Sequence, residues 1–389
     1  MRQVFRDLCT YSADLFGINS ALYELGGLIV MHDASGCNST YNTHDEPRWY
    51  DMDSMVYVSG LNEKDAILGN DNKLIDDVCD VALKEKPNFI ALSRSVLPTY
   101  MGTDMTGIAK VIEKRTNIPT FGFLTNGMDS YVLGAQEAFY VFAKRFLKKA
   151  DKNTDDNKIH INILGATPLD FSIDDNLNNI KQMLEDADFI IDSVWAMGST
   201  FEEIVSSSSA DVNLLISSTG IKAARYMYDE FKIPYVCGIP CGKIAGMKIA
   251  ELITMAYDTG NNYSLFDTKI NGAHSDERKI IIVGEAYHAA SLRYQLEAQN
   301  GCGNVSVLCP LEDDAGALRD TDREATYEED IRKILNTADV VIADPIYRRV
   351  IKKDLLFVDD PHDAYSGRMY HNRRFIFAGN KANLILERK

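Results

Sequence analysis

Short apolar runs alternate with amphipathic segments along the 389 residues of the chain. Each apolar run gives way to a turn or loop, which is typical of buried strands. We predict strands at 28–31, 88–92, 117–123, 159–164, 188–194, 213–216, 233–236, 279–283, 305–308, 340–342 and 375–377. Apolar residues at helical spacing predict helices at 74–83, 106–114, 133–147, 173–184, 222–231, 286–298 and 328–335. The alternation favours an α/β fold with parallel sheets covered on both faces.

Two charged stretches without periodicity, residues 148–158 and 267–278, interrupt this series. We interpret them as domain joints. The prediction is three doubly wound, Rossmann-like units at residues 1–150, 151–272 and 273–389. The length agrees, because a domain usually has about 100–200 residues.

The net charge and the length of the apolar runs argue against nucleic-acid binding and against membrane association. The chain has 41 Lys and Arg against 57 Asp and Glu, a net charge of −16, with no basic tract. We therefore expect no nucleic-acid or anionic-membrane partner. The apolar runs are shorter than the roughly 20 residues of a membrane span, and the N-terminus has no apolar signal segment. These features predict a cytoplasmic protein.

The cysteines do not suggest a disulfide framework, because their number is odd and no signal segment is present. They are Cys9, Cys37, Cys79, Cys237, Cys241, Cys302 and Cys309. No Cys-x-x-Cys pair occurs, so zinc ribbons, thioredoxin-type sites and ferredoxin-type runs are not supported. Ligands of a bound metal would have to come from distant parts of the chain or from two chains.

Ligands of open α/β sheets gather beyond the carboxyl ends of the strands. Residues 32–37, His-Asp-Ala-Ser-Gly-Cys, occupy the first such position. Cys37 is predicted at or near a helix N-terminus, where a thiolate is favoured, although a small buried cysteine also explains this segment. Cys9 lies upstream and could face the same sheet edge.

Other glycine-containing turns carry weaker signals. Residues 238–243 lack the spacing of a phosphate loop, and residues 284–286 lack Gly-x-Gly-x-x-Gly, so nucleotide hydrolysis and NAD binding are not expected. Cys237 and Cys241 fit a glycine-rich turn, with metal or redox ligation as the alternative. We expect Cys79, Cys302 and Cys309 to be packing residues, and His288 to be a cap or a surface residue.

Taken together, several segments resemble the nitrogenase component 1 family of molybdenum–iron protein subunits, cofactor scaffolds and dark protochlorophyllide reductase subunits. The resemblance rests on motifs in a characteristic order: Cys9, then residues 32–37, 59–74, 97–104, 125–131, 162–165, 210–214 and 231–235. It implies a nitrogenase component 1-like fold over most of the chain.

The resemblance also implies an iron–sulfur cluster at a subunit interface, with Cys9 and Cys37 as ligands. The third cysteine of the family pattern falls on Leu97, which cannot bind iron. Two thiolates per chain do not complete a four-thiolate site, but a two-fold dimer would supply four to one shared [4Fe–4S] cluster. A related partner subunit with its own cysteines, or an oxygen ligand such as Asp33, are the alternatives.

A second family site, for a large metal cofactor, lacks its thiol here because Ser217 follows the corresponding strand. We therefore expect no permanently bound iron–molybdenum-type cofactor. By resemblance, His362, Tyr365 and Arg368 would line a substrate cavity as proton donor, hydrogen-bond donor and anion anchor. Alternatively, His362 is a loop histidine bonded to the backbone.

The function implied is that of a nitrogenase-like oxidoreductase. As a homodimer or a heterodimer with a related subunit, it would receive low-potential electrons from a separate ATP-dependent iron–sulfur reductase and reduce a bound substrate. A non-catalytic scaffold that assembles or carries a metal cluster is the second hypothesis. A cluster-free, binding-protein-like sensor is the third.

Overall fold

The structure is a computed structural model. It describes residues 6–9, 11–40, 46–150, 152, 157–173, 175–268, 270, 277–313, 316–352, 354–374 and 376–379. Three separate parallel sheets organise this part of the chain.

Each sheet is built from consecutive strands. The first contains β1 (Leu28–His32), β2 (Met55–Val58), β3 (Ile90–Arg94) and β4 (Thr120–Gly122). The second contains β5 (His160–Leu164), β6 (Ile190–Val194), β7 (Val212–Leu215), β8 (Tyr235–Cys237) and β9 (Tyr263–Ser264). The third contains β10 (Ile280–Val283), β11 (Val305–Cys309), β12 (Arg323–Glu324), β13 (Val340–Ala343) and β14 (Leu356–Asp359).

The strand orders are those of doubly wound folds. They are β2-β1-β3-β4, β6-β5-β7-β8-β9 and β12-β11-β10-β13-β14, with every pair parallel. In such sheets the strand order reverses next to the first strand, which opens a crevice at the carboxyl ends. The α/β, Rossmann-like prediction is confirmed. The exact unit boundaries stay a prediction, although each sheet lies within one predicted unit.

Helices connect the strands. They are α1 (Asp14–Leu22), α2 (Ser35–Thr40), α3 (Glu63–Leu68), α4 (Asp71–Glu85), α5 (Val96–Met101), α6 (Met105–Thr116), α7 (Tyr131–Phe146), α8 (Pro168–Phe171), α9 (Asp175–Asp186), α10 (Phe201–Ser206), α11 (Ile221–Phe231), α12 (Lys243–Thr259), α13 (Ala286–Asn300), α14 (Glu328–Leu335) and α15 (Asp363–Ser366). Each of the seven predicted helices overlaps one of these elements. None of the helices within the described ranges is both long enough and apolar enough to cross a membrane.

Helix α7 connects the first two units, because it packs against α1 and also against α11. Two glycines allow the close approach of α1 and α7. A Cβ on Gly134 would come within 1.8 Å of the Asp14 carbonyl oxygen, and one on Gly17 within 2.0 Å of the Tyr131 carbonyl oxygen. Tyr131, at the start of α7, is thereby held against the second unit.

The strand predicted at 375–377 is wrong in its described part. Residue 375 lies outside the described residues, and Ile376 and Phe377 are not in a strand. The two edge strands of the third sheet are β12 and β14, and the pattern predicted neither. The ring centroids of Phe377 and Phe171 are 6.1 Å apart, and the backbone N–H of Phe377 donates to Asn176 Oδ1 at 2.9 Å. The chain therefore returns to the second unit after α15.

Candidate functional site

The crevice of the first sheet lies between the ends of β1 and β3. Cys37 is in the first turn of α2, which follows β1, and Leu97 is in α5, which follows β3. Both line one cavity of about 600 Å³, together with Tyr11, Tyr100 and Gly127. Cys37 is exposed, which contradicts the alternative of a small buried cysteine. The structure thus brings Cys37 together with the residue at the third cysteine position of the family pattern.

Asp33 holds the turn that presents Cys37. Its carboxylate accepts hydrogen bonds from the Ala34 N–H at 2.8 Å and from Asn38 Nδ2 at 2.6 Å. Gly36 has no left-handed backbone, and a Cβ there would meet no atom within 4 Å. Glycine is therefore not required by the turn, but it leaves the space beside Cys37 open.

The segment that carries Cys9 is tied to the third unit by Glu328. Its carboxylate accepts the N–H groups of Arg6, Asp7 and Leu8 at 2.8, 2.8 and 3.0 Å. Burial alone would raise the pKa of Glu328, but these amides and Arg332 outweigh it and lower the pKa to about 2. Cys9 is exposed and, although it is not among the cavity-lining residues, Tyr11 two residues later is.

The other five cysteines are buried. Burial raises the pKa of Cys237 to about 12 and raises the pKa values of Cys241 and Cys309 as well. Within the described ranges, no three His, Cys, Asp or Glu side chains are grouped so as to hold a metal ion. The packing interpretation of Cys79, Cys302 and Cys309 agrees with their burial, and Cys237 and Cys241 belong to the same buried class.

A buried polar cluster lies where the three units meet, and we call it the junction cluster. Asp170, in α8 after β5, is its centre. The Asp170 carboxylate accepts hydrogen bonds from the Tyr131 hydroxyl and from Ser217 Oγ, the latter at 2.7 Å. Its Oδ1 also lies 3.2 Å from Nε2 of His362, which follows β14. One carboxylate thus contacts residues of all three predicted units.

His362 has a defined orientation. Its backbone N–H donates to Asp344 Oδ2 at 2.8 Å, and its Nδ1 lies 3.3 Å from the Ala364 N–H, as an acceptor. In the neutral ring the proton is then on Nε2, which faces Asp170. The ring stacks on Tyr365 with centroids 4.5 Å apart. The buried Tyr365 hydroxyl has no hydrogen-bond partner among the described residues.

The third predicted substrate residue, Arg368, lies elsewhere. It is half-buried, and its guanidinium is 5.2 Å from the ring centroid of Tyr50. Arg374 is the guanidinium in the junction cluster: it lies 3.1 Å from Asp363 Oδ2 and donates to the Asp170 carbonyl oxygen at 3.1 Å. No motif marks Arg374, so the sequence alone does not identify it.

The expectation that His288 is a cap or a surface residue is wrong. His288 is buried, with Nε2 at 2.8 Å from Asp360 Oδ2, because α13 packs under the C-terminal segment. Glu285, just before α13, accepts the N–H groups of Tyr287, His288 and Ser218. Burial, and then the neighbouring Asp170, raises the pKa of Glu285.

Comparison with known proteins decides the family. The family model described as "Nitrogenase component 1 type Oxidoreductase" matches residues 26–259. The chain belongs to this family. It is 23% identical over 266 residues to a light-independent protochlorophyllide reductase subunit of Mesostigma viride, covering 62% of this chain and 52% of that protein. It is also 24% identical over 204 residues to the nitrogenase iron-molybdenum cofactor biosynthesis protein NifE of Clostridium pasteurianum, covering 51% and 43%.

The fold of the family is shared along nearly the whole chain. A solved structure titled "Nitrogenase Cp1 at pH 6.5" aligns with a TM-score of 0.67 at 16% identity, covering 98% of this chain and 92% of that one. The chain spans about half the length of the curated relatives that it matches first. The nitrogenase component 1 family therefore includes an oxidoreductase subunit and a cofactor biosynthesis protein that both resemble this chain.

The donor set of the first unit fits half of a four-thiolate cluster site. Cys9 and Cys37 are exposed thiols, whereas Leu97 offers no ligand atom. The Asp33 carboxylate is engaged in holding its own turn. Cys9 and Cys37 thus offer two of the four thiolates that an Fe₄S₄ cluster takes.

Proposed function

We propose that this nitrogenase component 1 family protein is the electron-transferring component of a nitrogenase-like reductase. Cys9 and Cys37 of two chains would hold one [4Fe–4S] cluster between the subunits. One observation carries this proposal: these two are the exposed cysteines of the chain, and Cys37 opens into the crevice of the first sheet. Electrons would come from a separate ATP-dependent iron–sulfur reductase.

The surface around Cys37 supports a subunit contact. Val96, Leu97 and Tyr100 of α5 are 38%, 44% and 77% exposed. Aromatic and aliphatic side chains grouped in this way favour an interface, since burying them removes apolar surface from water. A second copy of the chain, or a related subunit, would cover them and place its own thiols beside Cys37.

The cluster, when bound, would store and pass on single electrons, and the chain's own residues would do the remaining work. His362 would donate the proton that it holds on Nε2, with Asp170 at 3.2 Å keeping the ring oriented. The unpartnered Tyr365 hydroxyl would donate a hydrogen bond to the substrate. Arg368 lies beside Tyr50, outside the junction cluster, and its role as an anion anchor stays a prediction.

The scaffold function is the alternative, and the junction cluster favours it. Tyr131 and Ser217 already donate hydrogen bonds to the Asp170 carboxylate, and His362 Nε2 lies 3.2 Å from it without a hydrogen-bond partner among the described residues. His362 and Tyr365 are only 5% and 3% exposed. A scaffold needs no substrate cavity here, whereas a reductase must open one.

Anaerobic purification with iron, sulfide and mass measurement tests the proposal. About four irons and four sulfides per dimer, with absorption that bleaches when an ATP-dependent reductase is added, would support it. Iron that passes to an apo-acceptor without bleaching under ATP would favour the scaffold. A colourless monomer after anaerobic reconstitution would contradict both.

A further inference from the structure

A second large cavity lies in the third unit, at the amino ends of β10 and β11, and has a volume of about 780 Å³. Strand β12 is short and pairs only with Leu308 and Cys309, so no strand of the described residues lies beside β11 at residues 305–307 on this side. Glu285 follows the opposite end of β10. A strand rises about 3.3 Å per residue, and Ile282 and Val283 lie between the cavity-lining Ile281 and the end of β10 that Glu285 follows.

Basic side chains predominate around this cavity. Four cations line it, namely Lys279, Arg319, Arg323 and Lys333, against two carboxylates, Glu297 and Asp320. The chain as a whole has a net charge of −16. The lining of this cavity therefore carries a net positive charge, whereas the chain as a whole carries a net negative charge.

Two of the cations have no carboxylate partner within the described ranges. Lys279 Nζ donates to the Thr337 hydroxyl at 2.7 Å. The Arg323 guanidinium donates to the carbonyl oxygens of Asp320 and Asp322 at 3.0 and 2.7 Å. These neutral acceptors orient the two side chains without cancelling their charge.

Asp322, the buried carboxylate next to Arg323 in the chain, is already engaged. Asp322 pairs with the buried guanidinium of Arg293 and also accepts the N–H groups of Val307 and Arg319, at 2.8 and 2.7 Å. Glu297 binds Arg319 through both oxygens, at 3.1 and 3.0 Å. Asp339 accepts the backbone N–H of Lys279 at 2.8 Å, but no described carboxylate forms an ion pair with Lys279 Nζ or with the Arg323 guanidinium. The charges of these two side chains are thus left for a ligand.

We propose that this cavity binds a small metabolite that carries a diphosphate group. An arginine fork and a lysine point charge are the side chains that proteins use for phosphate oxygens. Ile281, Val305 and Ile334 give the cavity an apolar wall for an attached organic group. The volume lies within the roughly 300–1,000 Å³ of small-molecule sites. This site is independent of the cluster proposed above.

Isothermal titration calorimetry with pyrophosphate and with ADP tests the proposal on the purified full chain. The double variant Lys279→Gln/Arg323→Gln should weaken the binding of both ligands at least about tenfold, since the charged hydrogen bonds to the phosphate oxygens are lost. Tighter binding of ADP than of pyrophosphate would identify a nucleotide-like ligand, and equal binding would identify the diphosphate alone. Both outcomes support the proposal.

The control variant Lys64→Gln/Lys114→Gln removes the same charge from two exposed positions outside this cavity. It should change the affinities less than about twofold. Arg323→Lys, which keeps the charge but loses the fork, should be intermediate. No binding to the wild type, equal loss in the control, or binding of citrate but of neither phosphate compound would overturn the proposal. Unchanged thermal unfolding of the variants excludes loss of the fold.

Discussion

Nε2 of His362 lies 3.2 Å from Oδ1 of Asp170, and this contact connects the third unit to the second. The same carboxylate accepts a hydrogen bond from the hydroxyl of Tyr131, which belongs to the first unit. A buried carboxylate that accepts several hydrogen bonds stabilises the fold only while all of its donors are present. If one group is removed, the buried group that it bonded has lost its water and gained no hydrogen bond in exchange. Asp170 therefore couples the stability of the three units.

Asp170→Asn should lower the free energy of unfolding by about 2–4 kcal/mol, since the amide presents N–H groups to donors. Denaturant unfolding measures this. Asp186→Asn, on the exposed end of α9, should change it by less than about 0.5 kcal/mol. In a double-mutant cycle with His362→Gln, the two effects should be non-additive by about 1 kcal/mol. Additive effects would show that the two side chains are not coupled.

Tyr365→Phe and Tyr131→Phe form a matched pair. The Tyr365 hydroxyl is buried without a partner among the described residues, so its removal should leave stability unchanged or raise it slightly. Tyr131→Phe removes a hydrogen bond to Asp170 and should lower the free energy of unfolding by about 1–2 kcal/mol. If the Tyr365 hydroxyl binds substrate, Tyr365→Phe should reduce turnover in a fully stable protein. Equal destabilisation by both variants would show that Tyr365 is satisfied in solution.

Glu328→Gln should release the segment that carries Cys9. The folded state lowers the pKa of Glu328 to about 2, below its ordinary value of 4.5. Its contribution is therefore fully present above pH 4.5 and is lost as the pH falls through about 2. At pH 7 the variant should be about 1–3 kcal/mol less stable, and the difference from wild type should shrink below about pH 4.5.

Hydrogen exchange of the Asp7 and Leu8 amides should be faster in Glu328→Gln, because both donate to this carboxylate. The neighbouring exposed Glu329 provides the control, and Glu329→Gln should leave their exchange unchanged. Unaltered protection in Glu328→Gln would mean that other contacts hold the segment.

Cys9 and Cys37 should be the two fast-reacting thiols of the cluster-free protein. The other five cysteines are buried, and burial raises the pKa of Cys237 to about 12. Titration with a disulfide reagent should show two rapid equivalents per chain, both lost in Cys9→Ser/Cys37→Ser. More than two rapid equivalents in the native state would contradict the burial pattern.

Binding of the iron–sulfur cluster should depend on Cys9 and Cys37. Cys37→Ser should lose the iron–sulfur absorption, whereas Cys302→Ala should keep it, because Cys302 is buried in the third unit. Leu97→Cys adds a thiol to the cavity that Cys37 lines, and it should slow the loss of iron to a chelator. Absorption retained in Cys37→Ser would refute the assignment.

The local pattern of the chain was sufficient for most strands and for seven of the fifteen helices among the described residues. Strand β10 (Ile280–Val283) is a continuous apolar run, and helix α14 has apolar residues at a period of about 3.6. Both patterns depend only on neighbouring residues. It was not sufficient for helix α12, which begins after the glycine-rich Cys237–Cys241 turn, nor for the edge strands β2, β9, β12 and β14. Edge strands are specified by the strand beside them rather than by their own sequence.

The sequence by itself determined the α/β class, the family resemblance and the position of Cys37 after β1. Only the tertiary structure decided which strand ends meet, so that Asp170 contacts His362, and Arg374 rather than Arg368 joins the junction cluster. It also decided that His288 is buried and that the chain returns to the second unit at Phe377. Periodicity is a property of adjacent residues, whereas burial and charge pairing depend on partners far away in the chain.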